Sequence, residues 1–166
     1  MKELFQGRRF GFAPRPALAF IAVGIGIGVT LADLMAWFAW GSTSTNGFVI
    51  VAYWLTIATA VVCAIAMLAA IAEYVDTPAE ERGLARLDLV AALVALILYG
   101  GSALIRSTDI AAAAAAPAPF LVAVAGLVVL LADASVSANL YSEREWEEPE
   151  DEPRERRLPR RRAVTR

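Results

Sequence analysis

The chain alternates long apolar blocks with short polar ones. The first block, Ala17–Trp40, reads ALAFIAVGIGIGVTLADLMAWFAW and contains a single charge, Asp33. At about 1.5 Å of rise per residue, a helix of this length crosses the hydrocarbon core of a bilayer with some tilt. Three further blocks follow at Phe48–Val75, Leu87–Ile105 and Pro119–Tyr141. The pattern predicts an all-α, integral membrane four-helix bundle with spans over about 17–40, 48–75, 87–105 and 119–141.

The polar intervals mark where the helices stop. Pro14 and Pro16 stand just ahead of the first span, because proline suits a helix's first turn and not its interior. Gly41–Gly47, GSTSTNG, is an uncharged loop. In Asp76–Asp88, DTPAEERGLARLD, the run Thr77-Pro78 followed by Glu80 and Glu81 predicts a short helical turn. Ser107-Thr108-Asp109 ahead of Ala111–Ala116 is a helix-start signal, and Pro117 and Pro119 stop that helix. The first block is longer than the apolar core of a signal peptide, and no small-residue cleavage site leads into a soluble domain. It is therefore expected to stay as an uncleaved span.

Charge adds orientation. An even number of spans puts both termini on one side. Residues 1–16 hold four Lys or Arg, the second loop holds Arg82 and Arg86, and the tail after Tyr141 holds eight. The first loop has none and the third only Arg106. The positive-inside rule then makes both termini and the second loop cytoplasmic. In this threading Trp37, Trp40, Tyr53, Trp54 and Tyr99 fall near the outer boundary, where amphipathic rings favour the interface. The tail Ser142–Arg166 is acidic in its first half and basic in its second, and is expected to be disordered. It reinforces topology, and its arginines could also touch anionic lipid head groups.

Composition changes the picture mainly by exclusion. Of 166 residues 58% are hydrophobic and the mean hydropathy is +0.57, which fits one membrane domain, whereas the net charge of −2 hides segregated charges. There is no histidine, which removes the commonest metal and haem ligand and the usual general base. Cys63 is the only cysteine, so no intrachain disulfide can form. No nucleotide fingerprint, Walker loop, catalytic triad or metal spacing is present, and LADLM and LADAS do not supply the paired contexts of an intramembrane aspartyl protease. The expectation is a protein that is not an enzyme, with no cofactor, no metal and no nucleic-acid partner.

Two carboxylates inside spans, Asp33 and Asp133, are the candidates for chemistry, since an acid in hydrocarbon is costly. Asp33 shares a helical face with Gly26, Thr30 and Trp37, and Asp133 shares one with Gly126 and Ser137. By helical rise Asp33 lies about 10 Å from the outer end of its span and Asp133 about 12 Å from the inner end of its own, so they are not expected to meet. Staggered in this way, they could be steps of a proton or cation path. Alternatively each is protonated or bonded to Thr56, Thr59, Ser135 or Asn139 and only orients helices. Arg106 could also reach Asp33. Glu73 and Asp88 read as solvated helix ends. Gly24 and Gly28 form a GxxxG step, extended by Ala32 and Ala36, on the side of the first span opposite Gly26, Thr30 and Asp33. A helix specialised on two sides implies a second copy or a membrane partner on the glycine face.

The order of Pro16, Asp33, Trp54-Leu55, Ala70-Ile71-Ala72-Glu73-Tyr74, Arg106 and Ser135-Val136-Ser137-Ala138-Asn139-Leu140-Tyr141 resembles the domain-of-unknown-function 2231 family of four-helix bacterial membrane proteins, over residues 14–145. In that family a histidine precedes the first proline and another opens the third span. This chain has neither, so the haem or metal association that the resemblance implies lacks its ligands here. Three readings of function follow. The first is a non-catalytic multi-pass scaffold or interaction subunit of the bacterial inner membrane, packing with itself or a membrane partner. The second is a small proton- or ion-coupled transporter or channel subunit using the intramembrane acids. The third is an accessory protein of a membrane redox chain.

Overall fold

The computed structural model describes residues 14–38, 40, 44–77, 82–110 and 112–145. Within them the chain is helical, with α1 at Pro14–Trp37, α2 at Gly47–Asp76, α3 at Arg82–Arg106 and α4 at Pro117–Glu145. All four are long and apolar enough to cross a membrane. Pro14 and Pro16 lie in the first turn of α1, where no intrahelical N–H bond is lost. Asn46 caps α2: its side-chain oxygen accepts from the Phe48 N–H at 3.0 Å. Its amide also donates to the Ala113 carbonyl at 3.3 Å, tying the first loop to the third.

Three helix boundaries differ from expectation. α3 begins at Arg82, so most of the polar patch expected between spans is the first turns of a long helix, closed onto α2 where Arg82 donates to the Thr77 carbonyl at 3.0 Å. Residues 112–116 of the alanine run are not helical, and α4 starts at Pro117 instead. Proline opens this helix because its missing N–H is one of the orphan donors of a first turn. α4 then continues to Glu145, past the expected start of the tail. The basic segment 1–13 and the tail beyond 145 lie outside the described residues.

Contacts run α1 to α2, α2 to α3, α3 to α4 and α4 back to α1, a closed ring of four antiparallel neighbours. The buried positions repeat at alternating steps of four and three. On α1 they include Arg15, Ala19, Ala22, Gly26, Val29 and Asp33, and on α3 Asp88, Ala92, Ala95, Tyr99, Ser102 and Arg106. α2 follows with Ala52, Thr56, Thr59, Cys63, Ala66, Ala70 and Glu73, and α4 with Ala123, Gly126, Leu130, Asp133 and Ser137. A period of 3.5 is that of left-handed supercoiled bundles.

Size, more than hydrophobicity, separates inside from outside. The axis is built largely of alanine, glycine, serine and threonine, while Phe20, Ile97, Leu104, Leu121 and Val128 are exposed, Leu104 at 72%. In water such a surface would be an aggregation hazard. In a bilayer it is the natural lipid-facing coat, and small residues at the seam let backbones approach. The span lengths and this inside-out distribution make the chain a multi-pass membrane protein.

Candidate functional site

α1 and α3 sit diagonally across the ring, run parallel, and are joined at both ends by buried arginine–aspartate pairs. Both pairs link residues 73 positions apart. The same offset sets Gly26 opposite Tyr99, so the two seams are in register from end to end. Their polarity is reversed. At the proximal end, where α1 begins, α1 supplies the arginine and α3 the aspartate. At the distal end α3 supplies the arginine and α1 the aspartate. The two levels are separated by about 27 Å of helical rise, close to the thickness of the hydrocarbon layer.

The distal pair is complete. Arg106 Nη1 donates to Asp33 Oδ1 at 2.8 Å and Nη2 donates to Asp33 Oδ2. Its Nε points at Ser102 Oγ, 3.3 Å away, and Ser102 in turn donates to the Pro119 carbonyl at 2.9 Å. Every guanidinium nitrogen is engaged, and the two charges cancel. A hollow of about 120 Å³ lies beside it, lined by Tyr53, Arg106, Asp109 and loop residues.

The proximal cluster has three members. Arg15 Nε donates to Asp88 Oδ2 at 2.9 Å and Nη2 to Asp88 Oδ1 at 3.0 Å. Nη2 also donates to Asp133 Oδ1 at 2.6 Å. Arg15 is 0% exposed and Asp88 and Asp133 are each 1% exposed. The reading of Asp88 as a solvated helix end is therefore wrong, and Glu73, given the same reading, is buried as well. Its place on the α3 seam turns it inward, and there is a cation waiting for it on α1. Arg15 likewise does more than add to the flanking positive charge. Arg15 Nη1 and Ser137 Oγ are buried with no hydrogen-bond partner among the described residues.

Between the two levels, Tyr99 fills the axis. It is 0% exposed, so its expected place at the outer boundary is corrected. Only glycine fits against it on either side: a Cβ on Gly26 would lie 2.5 Å from the Tyr99 hydroxyl, and one on Gly126 would lie 2.8 Å from Tyr99 Cε2. The Tyr99 hydroxyl has no partner among the described residues.

The other sequence candidates fall as follows. Asp33 and Asp133 are indeed apart, each with its own arginine. Thr56, Thr59 and Ser135 do not bond to them; each returns its hydroxyl to a carbonyl one turn earlier on its own helix, at 2.6–2.8 Å. Thr30 does the same, donating to the Gly26 carbonyl at 3.1 Å. Gly24 is open, with nothing within 4 Å of the place a Cβ would take, while a Cβ on Gly28 would meet Leu55 of α2. Ser137 shares the seam with Asp133 as its spacing predicts. Among the described residues no group of three or more His, Cys, Asp or Glu side chains could hold a metal ion.

Arg15 and Asp88 are the residues that charge reading alone misses. The signal that finds them is phase: Arg15 and Asp33 on α1, and Asp88 and Arg106 on α3, are each eighteen residues apart on one seam, with opposite charge order. No protein-family model matches the chain, and neither a curated protein nor a solved structure shows significant similarity to it.

Proposed function

We propose that this is a non-catalytic scaffold or interaction subunit of the bacterial inner membrane, with both termini in the cytoplasm, that packs with a second copy or a membrane partner through α1. The observation that carries this reading is the use to which the intramembrane charges are put. Arg106 and Asp33 are consumed by each other, and Arg15 binds α1 to both α3 and α4. Residues that could have served chemistry are holding helices. The outer face of α1 is left for a partner: Gly24 is exposed, and Phe20, one turn before it, and the adjacent Val23 line a groove of about 350 Å³ with Leu131, Ala134 and Ala138 of α4.

Cysteines placed at Gly24 and Gly28 test this, in a background where buried Cys63 is replaced by serine. In native membranes the expected result is an intermolecular crosslink from position 24 that exceeds the one from position 28, because Gly28 already faces Leu55. Absence of any intermolecular product would contradict the reading. Proton- or ion-coupled transport is the second reading, favoured by the extra carboxylate of the Arg15 cluster. Flux in proteoliposomes that depends on Asp133 would replace the scaffold reading with this one. A role beside a membrane redox chain would show as a bound chromophore in the visible spectrum. For the tail, the proposal is contact between its arginines and anionic lipid head groups on the cytoplasmic side.

A further inference from the structure

The proximal cluster carries one carboxylate more than its cation balances. Asp88 and Asp133 bring two negative charges and Arg15 one positive charge, all three joined by hydrogen bonds of 2.6–3.0 Å and nearly inaccessible to water. A net charge held away from solvent is strongly penalised. Each element contributes to the surroundings. α1 presents Arg15, α3 Asp88 and α4 Asp133, while the α2 seam carries Cys63 and Glu73. None of these adds a second positive charge. Among the other described arginines, Arg82 and Arg86 are exposed, Arg106 belongs to the distal pair, and Arg144 stands three turns beyond Asp133, about 16 Å along α4 by helical rise.

A second observation points into the same place. Arg15 Nη1 is a buried donor without an acceptor among the described residues, on the guanidinium that the two carboxylates share. Ser137 Oγ, one turn from Asp133 on the same seam, is a second buried polar atom without a partner among the described residues. A missing acceptor at a guanidinium is what an ordered water supplies.

We propose that the Arg15–Asp88–Asp133 cluster is a binding site for one proton, held on Asp133, with one buried water accepting from Arg15 Nη1. The geometry selects a proton over a metal cation. A guanidinium within 3.0 Å of both carboxylates repels a metal ion and occupies three of their four oxygens. A proton needs a single oxygen. Asp88 gives both of its oxygens to Arg15 as a bidentate partner and stays ionised. Asp133 gives Arg15 its Oδ1, and the proton bonds to its Oδ2. A hydronium ion of the bulk solvent delivers the proton, its O–H bond breaking to leave a water molecule as one O–H bond forms on Asp133, and the cluster's sum of charges goes from −1 to zero with no change in oxidation state. This holds for a scaffold and for an ion-coupled protein alike.

Infrared spectroscopy of the full-length protein in lipid nanodiscs at neutral pH tests it. The expected spectrum contains the carbonyl stretch of one protonated carboxylic acid per chain, moving on exchange into D2O. Asp133→Asn removes that band and, as a neutral isostere of the protonated acid, leaves helical circular dichroism and melting temperature close to wild type. Should that variant not fold, Asp133→Glu decides the assignment, since a glutamic acid keeps the band at a displaced frequency. A folded wild-type protein with no carboxylic acid band overturns the proposal. So does a band unchanged in either variant.

Discussion

Tyr99 shows how a single side chain can set the geometry of the bundle's middle. Its ring lies between the backbones of Gly26 and Gly126, and its hydroxyl is buried without a partner among the described residues. Removing an unsatisfied buried polar group relieves a desolvation cost, so Tyr99→Phe is expected to be neutral or stabilising. Gly26→Ala drives a methyl into the hydroxyl and Gly126→Ala drives one into the ring edge; each overpacks the axis and costs about 1–3 kcal/mol. The two differ in rescue. Tyr99→Phe removes the atom that Gly26→Ala meets and restores its stability, but leaves the ring carbons that Gly126→Ala meets. Unfolding measured in detergent over these five variants checks the whole set. Sequence alone misplaces Tyr99 because an aromatic near a span's end reads as an interfacial anchor. Nothing local shows that its partners are two glycines on other helices.

At the scale of the helix, the spans are legible in the sequence and their ends less so. Apolar blocks longer than a bilayer core leave little freedom: α2 to α4 cover the expected stretches, and α1 covers its own up to Trp37. The ends differ because charge and proline each carry more than one meaning. Arg82, Arg86 and Asp88 look like a loop, yet they are the first turns of α3. Pro117 looks like a stop and is a start. The seam is harder still. In a soluble bundle the inward face announces itself by hydrophobicity. In this chain the outward face is the more hydrophobic, and the inward one is marked by small and polar residues at steps of three and four. Asn46 is the best example of a loop residue with more than one task, as it caps α2 and also holds the Ala113 carbonyl. Asn46→Ala is expected to cost about 1–2 kcal/mol, at the upper end for a cap because a second bond goes with it. Asn46→Asp keeps the cap oxygen, loses the amide donor, and falls between wild type and Asn46→Ala. Thermal unfolding of the pair checks the order.

For the whole molecule, the two ion clusters are the central feature. Neighbouring helices in the ring pack largely through small side chains, with Arg15–Asp133 as an added link between α1 and α4. The diagonal between α1 and α3 is spanned by charge at both ends and by Tyr99 in the middle. Breaking a buried pair by removing one partner typically costs about 3–5 kcal/mol, because the other charge is left uncompensated. Asp33 and Asp133 stand out in the sequence as costly acids, and Arg106 as a candidate partner at the far end. Arg15 does not stand out as an intramembrane residue, since a cation beside the first span is ordinarily counted toward topology. A further consequence of the reversed polarity is that the distal pair can be inverted: an arginine on α1 facing an aspartate on α3 is the arrangement the proximal end already uses.

The measurement that tests this account most directly is therefore a charge-swap cycle at the distal end, comparing Asp33→Arg, Arg106→Asp and the double variant for unfolding stability in detergent or nanodiscs. Each single change places like charges together in a buried site and is expected to lose at least about 3–5 kcal/mol. The double variant rebuilds the pair with reversed polarity and is expected to recover more than half of that loss, a coupling that distant independent sites do not show. Single variants as stable as wild type, or a double variant no better than the worse single one, would contradict the claim that these charges hold α1 to α3.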